Sequence, residues 1–437
     1  MSGPLGGSAA AGSARSIASR VVARVLYDGA WASRALDAEL ERQPGLDARD
    51  RALATELVYG SLRLLPVLKE RLARHANKRL PDGDRSVFPV LVVAAHQLLV
   101  LERVPVFAAV SEAVNAVKRE RGAPSAGFVN AILRKVAATG ERLDVAAAAF
   151  ESAPAWLRER VANVIGEGEA RVLFGAHAAG AQAVAVRVTE GRAQPAWLEA
   201  AERGSASPLA RLVRAAGDPR RLAGWGDGAF VVQEEGSQVV ALAVGARPGD
   251  RVLDACAGHG TKASLLAARI GAEGELWAAD LHAQKLAVLG REFARLGLPA
   301  PRTAAVDWSL GAGAVPEAFD RVLVDAPCSG TGTLRRRPEI ALRLTPHDPA
   351  RLAELSVHIL RAAGQRARPG GRIVYAVCSV VREECEDVLA SVADLFEPEP
   401  FDAPELGSLL APGATTLRLL PSRHATDAYF VASLHRR

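Results

Sequence analysis

The sequence predicts a multidomain chain: an all-α helical segment, a small α+β connector, and a doubly wound α/β domain on a mainly parallel sheet. Three observations carry this expectation. Between residues 16 and 140 apolar side chains recur at helix spacing, with no strand-like alternation. Beyond residue 230 short apolar runs alternate with helical patterns, which indicates βαβ units. Four of those runs lead into an aspartate, namely Asp254, Asp280, Asp307 and Asp325, as if one edge of the sheet were chemically equipped.

With 437 residues the chain is long enough for two or three cores. No apolar stretch reaches the roughly 18 residues that span a bilayer, so no membrane partner is expected. The start of the chain is rich in Gly, Ala and Ser without a basic and apolar leader, and residues 1–14 read as a disordered tail. Four cysteines with no C-x-x-C pair are too few for a disulfide scaffold or a structural zinc site. A reducing, cytoplasmic location and a metal-free site are expected. The net charge is +5, and 48 of the 54 basic residues are arginine.

In the helical segment Ala18, Val21, Val22, Val25 and Leu26 share one face, as do Leu53, Leu57, Val58 and Leu62. Breaks at Pro44-Gly45, Pro81-Asp82-Gly83, Pro105 and Gly122-Ala123-Pro124 divide it into six or seven helices. Residues 15–140 hold 20 Lys/Arg against 13 Asp/Glu. A basic domain of this kind suits a polyanion such as a nucleic acid, or else is a solvated basic face or a protein-binding module. Residues 141–230 read as the mixed connector, with a strand near 183–188 and short helices near 154 and 195–203. Arg187 within that strand reads as a surface arginine, or else as one that meets phosphate.

Residues 231–437 form the α/β domain. Strands are expected around 252–253, 276–279, 303–306, 322–324 and 373–377, with helices at 233–244, 262–270, 284–296, 349–367 and 384–396. Two more strands near 416–420 and 429–434 would close the sheet as an antiparallel hairpin. The whole is Rossmann-like.

The first strand runs into Cys256, Ala257, Gly258, His259, Gly260, Thr261 and Lys262, a glycine turn that opens a helix. Neither the G-x-G-x-x-G nor the P-loop spacing is present. A strand-end Asp254 before such a turn suits S-adenosylmethionine, whose ammonium needs an anion. Asp280 is placed to accept the ribose hydroxyls, and Asp307 to bond the adenine amine. His259 either faces solvent or touches the cofactor carboxylate. The Cys256 and Cys385 side chains read as structural. Arg335, Arg336 and Arg337 would grip an RNA backbone, or form a solvated basic loop.

The helical segment resembles the NusB family of antitermination factors. The residues that carry this are Arg51, Glu56-Leu57-Val58-Tyr59-Gly60, Leu62-Arg63, Gln97-Leu98-Leu99, Val104-Pro105 and Phe128-Val129-Asn130-Ala131 with Leu133-Arg134. The resemblance implies an RNA- and protein-binding helical domain. The C-terminal part resembles the RNA cytosine-5 methyltransferases, which have a class I methyltransferase fold. It does so through Asp325-Ala326-Pro327-Cys328-Ser329-Gly330-Thr331-Gly332 and through Tyr375-Ala376-Val377-Cys378-Ser379 followed by Glu383, Glu384 and Glu386. By that resemblance Cys378 is the nucleophile, Cys328 assists product release, Asp325 positions the cytosine, and Lys262 orients Asp325. The family's usual Cys-Ala-Ala-Pro-Gly-Gly-Lys stands here as Cys-Ala-Gly-His-Gly-Thr-Lys. Together the two domains resemble the 16S ribosomal RNA methyltransferases of the RsmB (Sun) type. That implies S-adenosylmethionine as cofactor, 16S rRNA as partner and a monomer. Cytosine methylation of tRNA or DNA and a non-catalytic RNA-binding assembly factor are the alternatives.

Overall fold

The computed structural model describes residues 13–76, 79–175, 183–214 and 218–437. The tail expected over 1–14 lies outside the described residues except at its end. There Ser13 caps the first helix by accepting the Ser16 N–H, and Ala14 is already helical. The described residues form two units: 13–154 with 336–343, and 155–175 with 183–335 and 344–437. Among the described residues no helix is long and apolar enough to cross a membrane.

The first unit is all helical. Its helices are Ala14–Tyr27, Ala32–Glu41, Ala48–Arg63, Leu65–His75, Phe88–Leu99, Val106–Ala138 and Val145–Ser152. Asp47 and Asp144 cap two of them by accepting backbone N–H groups. Phe88–Leu99 is buried on nearly every side, as its apolar run requires, and the others lay one face against it or its neighbours. The expected break at 122–124 is a kink inside Val106–Ala138, where Gly122 takes φ 78°. A late segment, Glu339–Arg343, also belongs here. Glu339 accepts the Ala32 N–H at 2.9 Å, and Arg343 donates to the Val25 and Ala30 carbonyls.

The second unit opens with helices Ala155–Ile165 and Glu167–Gly175. A small antiparallel sheet follows, made of β1 (Val184–Val188), β2 (Glu202–Arg203), β3 (Ala210–Val213) and β4 (Phe230–Val232), in the order β2-β3-β1-β4. Val186, Val188, Leu198 and Phe230 form its core. The connector expected over 141–230 is therefore divided. Val145–Ser152 buries Ala148 and Ala149 in the helical core of the first unit, which runs to residue 154, and the described residues from 155 on join the second.

The large sheet contains β5 (Arg251–Asp254), β6 (Glu275–Asp280), β7 (Arg302–Ala305), β8 (Phe319–Asp325), β9 (Ala367–Val377), β10 (Phe396–Pro398), β11 (Thr416–Leu419) and β12 (Tyr429–Arg436). Its order is β10-β12-β9-β8-β5-β6-β7, with β11 beside β12. The strands from β9 to β7 are parallel, and β12 is antiparallel to β9, β10 and β11. Side chains alternate between two cores: Val252, Leu323 and Val374 enter one, Leu253, Val322 and Tyr375 the other.

One expected helix is different. Residues 384–396 form a 3-10 turn, Arg382–Glu384, and a short helix, Glu386–Ala390, before β10. Glu384 turns its side chain into the interior, and Cys385 is non-helical (φ −110°, ψ −96°).

Candidate active site

Because β5, β6, β8 and β9 are parallel, Asp254, Asp280 and Asp325 arrive with Cys378 at one edge of the sheet. The chain reverses its direction of progress across β5, which lies between β8 and β6. Open α/β sheets leave their ligand crevice at that place.

The loop after β5 is held from behind. The Ala257 N–H donates to Ala279 O at 2.8 Å, and the Gly258 N–H to Asp280 Oδ2 at 3.0 Å. Gly260 sits at φ 89°, and a Cβ there would meet Leu289 at 2.6 Å, so only glycine closes the turn into helix Thr261–Ile270. His259 is exposed. Asp280 also accepts the His282 N–H and pairs with Lys285 at 3.2 Å. Asp307 is exposed after β7, and its hydrogen bonds are local, from the Ser309 N–H and hydroxyl.

Asp254 is 1% exposed, and neither of its oxygens has a side-chain hydrogen-bond partner. Burial pushes its pKa up to about 7, against the pull of Lys262. Lys262 donates to Asp325 Oδ2 at 2.6 Å. Burial works against the Lys262 charge, but Asp325, Asp254 and Cys378 outweigh it and raise its pKa, so it stays cationic.

The two loop cysteines meet. Cys328 Sγ lies 3.4 Å from Cys378 Sγ. The hydrogen bond to Cys378, and then burial, push the Cys328 thiol well above its ordinary range, so Cys328 holds its proton at neutral pH. Backbone and hydroxyl bonds stitch the two loops together: Gly332 N–H to Cys378 O at 3.0 Å, and Val380 N–H to Thr331 Oγ1 at 3.1 Å. Beneath them the Glu384 carboxylate, fully buried, accepts the Ser329 N–H and hydroxyl at 2.6 Å each and also the Ser379 hydroxyl. Burial raises the Glu384 pKa against these bonds. Cys385 is buried and its thiol points at Ser379 O, and burial pushes the Cys256 thiol well up, so both are inert.

Two arginines differ from the surface roles their sequence context implies. Arg187 is only 2% exposed, and donates to Gln233 Oε1 and Ser264 Oγ at 2.7 Å each. It thereby ties β1 to the first turns of helix Thr261–Ile270. A valine-flanked arginine in a short strand gave no sign of this. Arg187→Met is expected to lower the unfolding free energy by about 2 kcal/mol, because Gln233 and Ser264 lose a charged partner; urea titration measures it. Arg335 pairs with buried Asp427 at 3.0 Å and with Glu234 at 3.7 Å. Arg336 and Arg337 are exposed and fall in the helical unit.

Two families match in succession. Residues 12–138 match the NusB family, and residues 241–435 the family described as 16S rRNA methyltransferase RsmB/F. Ribosomal RNA small subunit methyltransferase B of Xylella fastidiosa (strain Temecula1) is 35% identical over 434 residues, covering 96% of this chain and 97% of that protein. Its counterpart from Thermus thermophilus is 35% identical over 437 residues, with 98% of each covered. The solved structure of PH0851 aligns with 100% of this chain and 99% of its own at a TM-score of 0.81 and 22% identity, a likeness of fold. With a NusB domain ahead of the sheet and full-length relatives above 30% identity, the chain belongs to the RsmB/F family of rRNA methyltransferases and is an S-adenosylmethionine-dependent enzyme.

Proposed function

We propose that this enzyme methylates carbon 5 of one cytidine in 16S rRNA through a covalent adduct between Cys378 and carbon 6 of the base. The observation that carries this is the pair of sulfurs, Cys328 and Cys378, 3.4 Å apart at the edge where Asp254 and Asp325 end their strands. Carbon 5 of cytosine is a weak nucleophile. Addition of the Cys378 thiolate at carbon 6 makes carbon 5 enamine-like, and carbon 5 then takes the methyl. Loss of the carbon 5 proton and expulsion of Cys378 restore the ring. Cys328 is placed to exchange a proton with Cys378 and so serve that release. Lys262, which stays cationic, orients Asp325, whose carboxylate positions the cytosine. The target base must leave its stack to reach this edge. Arg336 and Arg337, both exposed, are assigned to the RNA backbone with the basic helical domain.

The residues at the sheet edge fit S-adenosylmethionine. The loop from Cys256 to Lys262 turns on a left-handed glycine into a helix N-terminus, Asp280 ends the neighbouring strand, and Asp254 is a buried carboxylate lacking a side-chain partner. When bound, S-adenosylmethionine supplies the methyl group. Asp254 would hold its ammonium, Asp280 the ribose and Asp307 the adenine amine. Since the Asp254 carboxyl ionises only near pH 7, cofactor affinity is expected to rise between pH 6 and 7.5. An α-amino group is half deprotonated at roughly pH 7.7, so the rise should flatten toward the top of this window. Asp254→Asn should bind more weakly and without that rise. Isothermal titration at both pH values decides, and a flat wild-type profile would contradict the pairing.

A DNA-type assignment makes Cys328 the nucleophile, and the second cysteine loop, Cys378-Ser379, together with the NusB domain speaks against it. The reading is tested by incubating the protein with labelled S-adenosylmethionine and unmodified 16S rRNA, tRNA and DNA in parallel. Label is expected in 16S rRNA alone; label in tRNA or DNA instead would overturn the substrate.

A further inference from the structure

We propose that Glu384 is a positioning residue that sets the distance between the two active-site thiols, an inference that rests on the two-cysteine reading above. Its carboxylate bonds the residue that follows each cysteine. Ser329, next to Cys328, gives it both a backbone N–H and a hydroxyl, and Ser379, next to Cys378, gives it a hydroxyl. One carboxylate thus links the loop after β8 to the loop after β9, each at the residue next to its cysteine.

Packing alone does not call for a carboxylate here. A buried charge carries a large desolvation cost unless hydrogen bonds satisfy it, and an apolar side chain would fill the same space without that cost. The local chain is bent to deliver it. The 3-10 turn Arg382–Glu384 ends in non-helical Cys385, and the Tyr375 hydroxyl donates to the Glu384 carbonyl at 2.6 Å. Thr331 adds a lateral tie, with its hydroxyl 3.0 Å from that of Ser379. Cys378 must add to the base and Cys328 must then act on the same adduct. An ångström of drift between them would cost both steps, as misplacement of reacting groups generally does.

The test uses the full chain in two assays. The first needs neither RNA nor cofactor: diamide oxidises the Cys328 and Cys378 thiols to a disulfide, taking two electrons and two protons into its own N=N bond. The rate of that closure reports how well the sulfurs are juxtaposed. The second measures kcat for methyl transfer and KM for S-adenosylmethionine. Glu384→Ala is expected to slow diamide closure at least about tenfold and to lower kcat about 100-fold, with KM for the cofactor within about twofold. Glu384→Gln, which keeps one acceptor, should recover much of both. If Glu384→Ala does not fold, Ser379→Ala and Ser329→Ala each remove one arm and should give smaller losses of the same kind. Wild-type closure rates and kcat in Glu384→Ala, or in both serine variants, would overturn the proposal. If the wild type methylates no cytidine while closure still depends on Glu384, the clamp stands and the functional reading fails.

Discussion

Cys378→Ala is expected to abolish methyl transfer, lowering kcat by more than about 10³-fold, the scale on which deleting a covalent nucleophile acts. The side chain lies at the end of β9, half-exposed, with its sulfur 3.4 Å from Cys328 and the Lys262 ammonium near enough to feel its charge. Without the thiolate, carbon 5 of the base never becomes enamine-like, and Cys256 and Cys385, both pushed up by burial, do not replace it. Cofactor affinity should remain, since the loop from Cys256 to Lys262 is held by Asp280 and the Ala279 carbonyl rather than by Cys378. A variant that binds S-adenosylmethionine normally and still methylates RNA at a tenth of the wild-type rate would remove Cys378 from the mechanism.

Cys328→Ala should fail differently. The adduct at Cys378 still forms and carbon 5 still takes the methyl, but the partner that serves release is gone. Enzyme and RNA are expected to accumulate as a covalent complex approaching one RNA per enzyme, stable to denaturing electrophoresis, while turnover falls by about 100-fold or more. The double variant Cys328→Ala/Cys378→Ala should show no such complex. The two sulfurs are in hydrogen-bond contact at 3.4 Å, so the effect belongs to the pair rather than to either residue alone. A Cys328→Ala enzyme that turns over freely would assign release to another group.

Much of this was legible because backbone periodicity and strand-end chemistry are local. Valine- and leucine-rich runs at 252–253, 322–324 and 373–377 lie in β5, β8 and β9, and the parallel register then brings Asp254, Asp325 and Cys378 to one edge without further information. The kink at Gly122 and the hairpin of β11 and β12 follow from the same kind of signal. What the sequence concealed depends on partners distant along the chain. Arg187 reads as exposed until Gln233 and Ser264, 46 and 77 residues away, are seen to surround it. Arg335 sits in a run of three arginines, yet Asp427 and Glu234 take it out of the run. Glu384 looks like the polar start of a helix, and only its contact with Ser329, 55 residues earlier, reveals an inward role. The connector was divided for the same reason, since the apolar face of Val145–Ser152 is completed by helices that precede it.

The central claim is chemical: one carbon of one base, reached through one cysteine. Digestion of 16S rRNA to nucleosides after reaction with wild type and with Cys378→Ala, followed by mass spectrometry, tests it most directly. The account predicts 5-methylcytidine at one per rRNA with the wild type and none with the variant. A methyl group on the ribose or at another ring position, or equal 5-methylcytidine from both proteins, would contradict it.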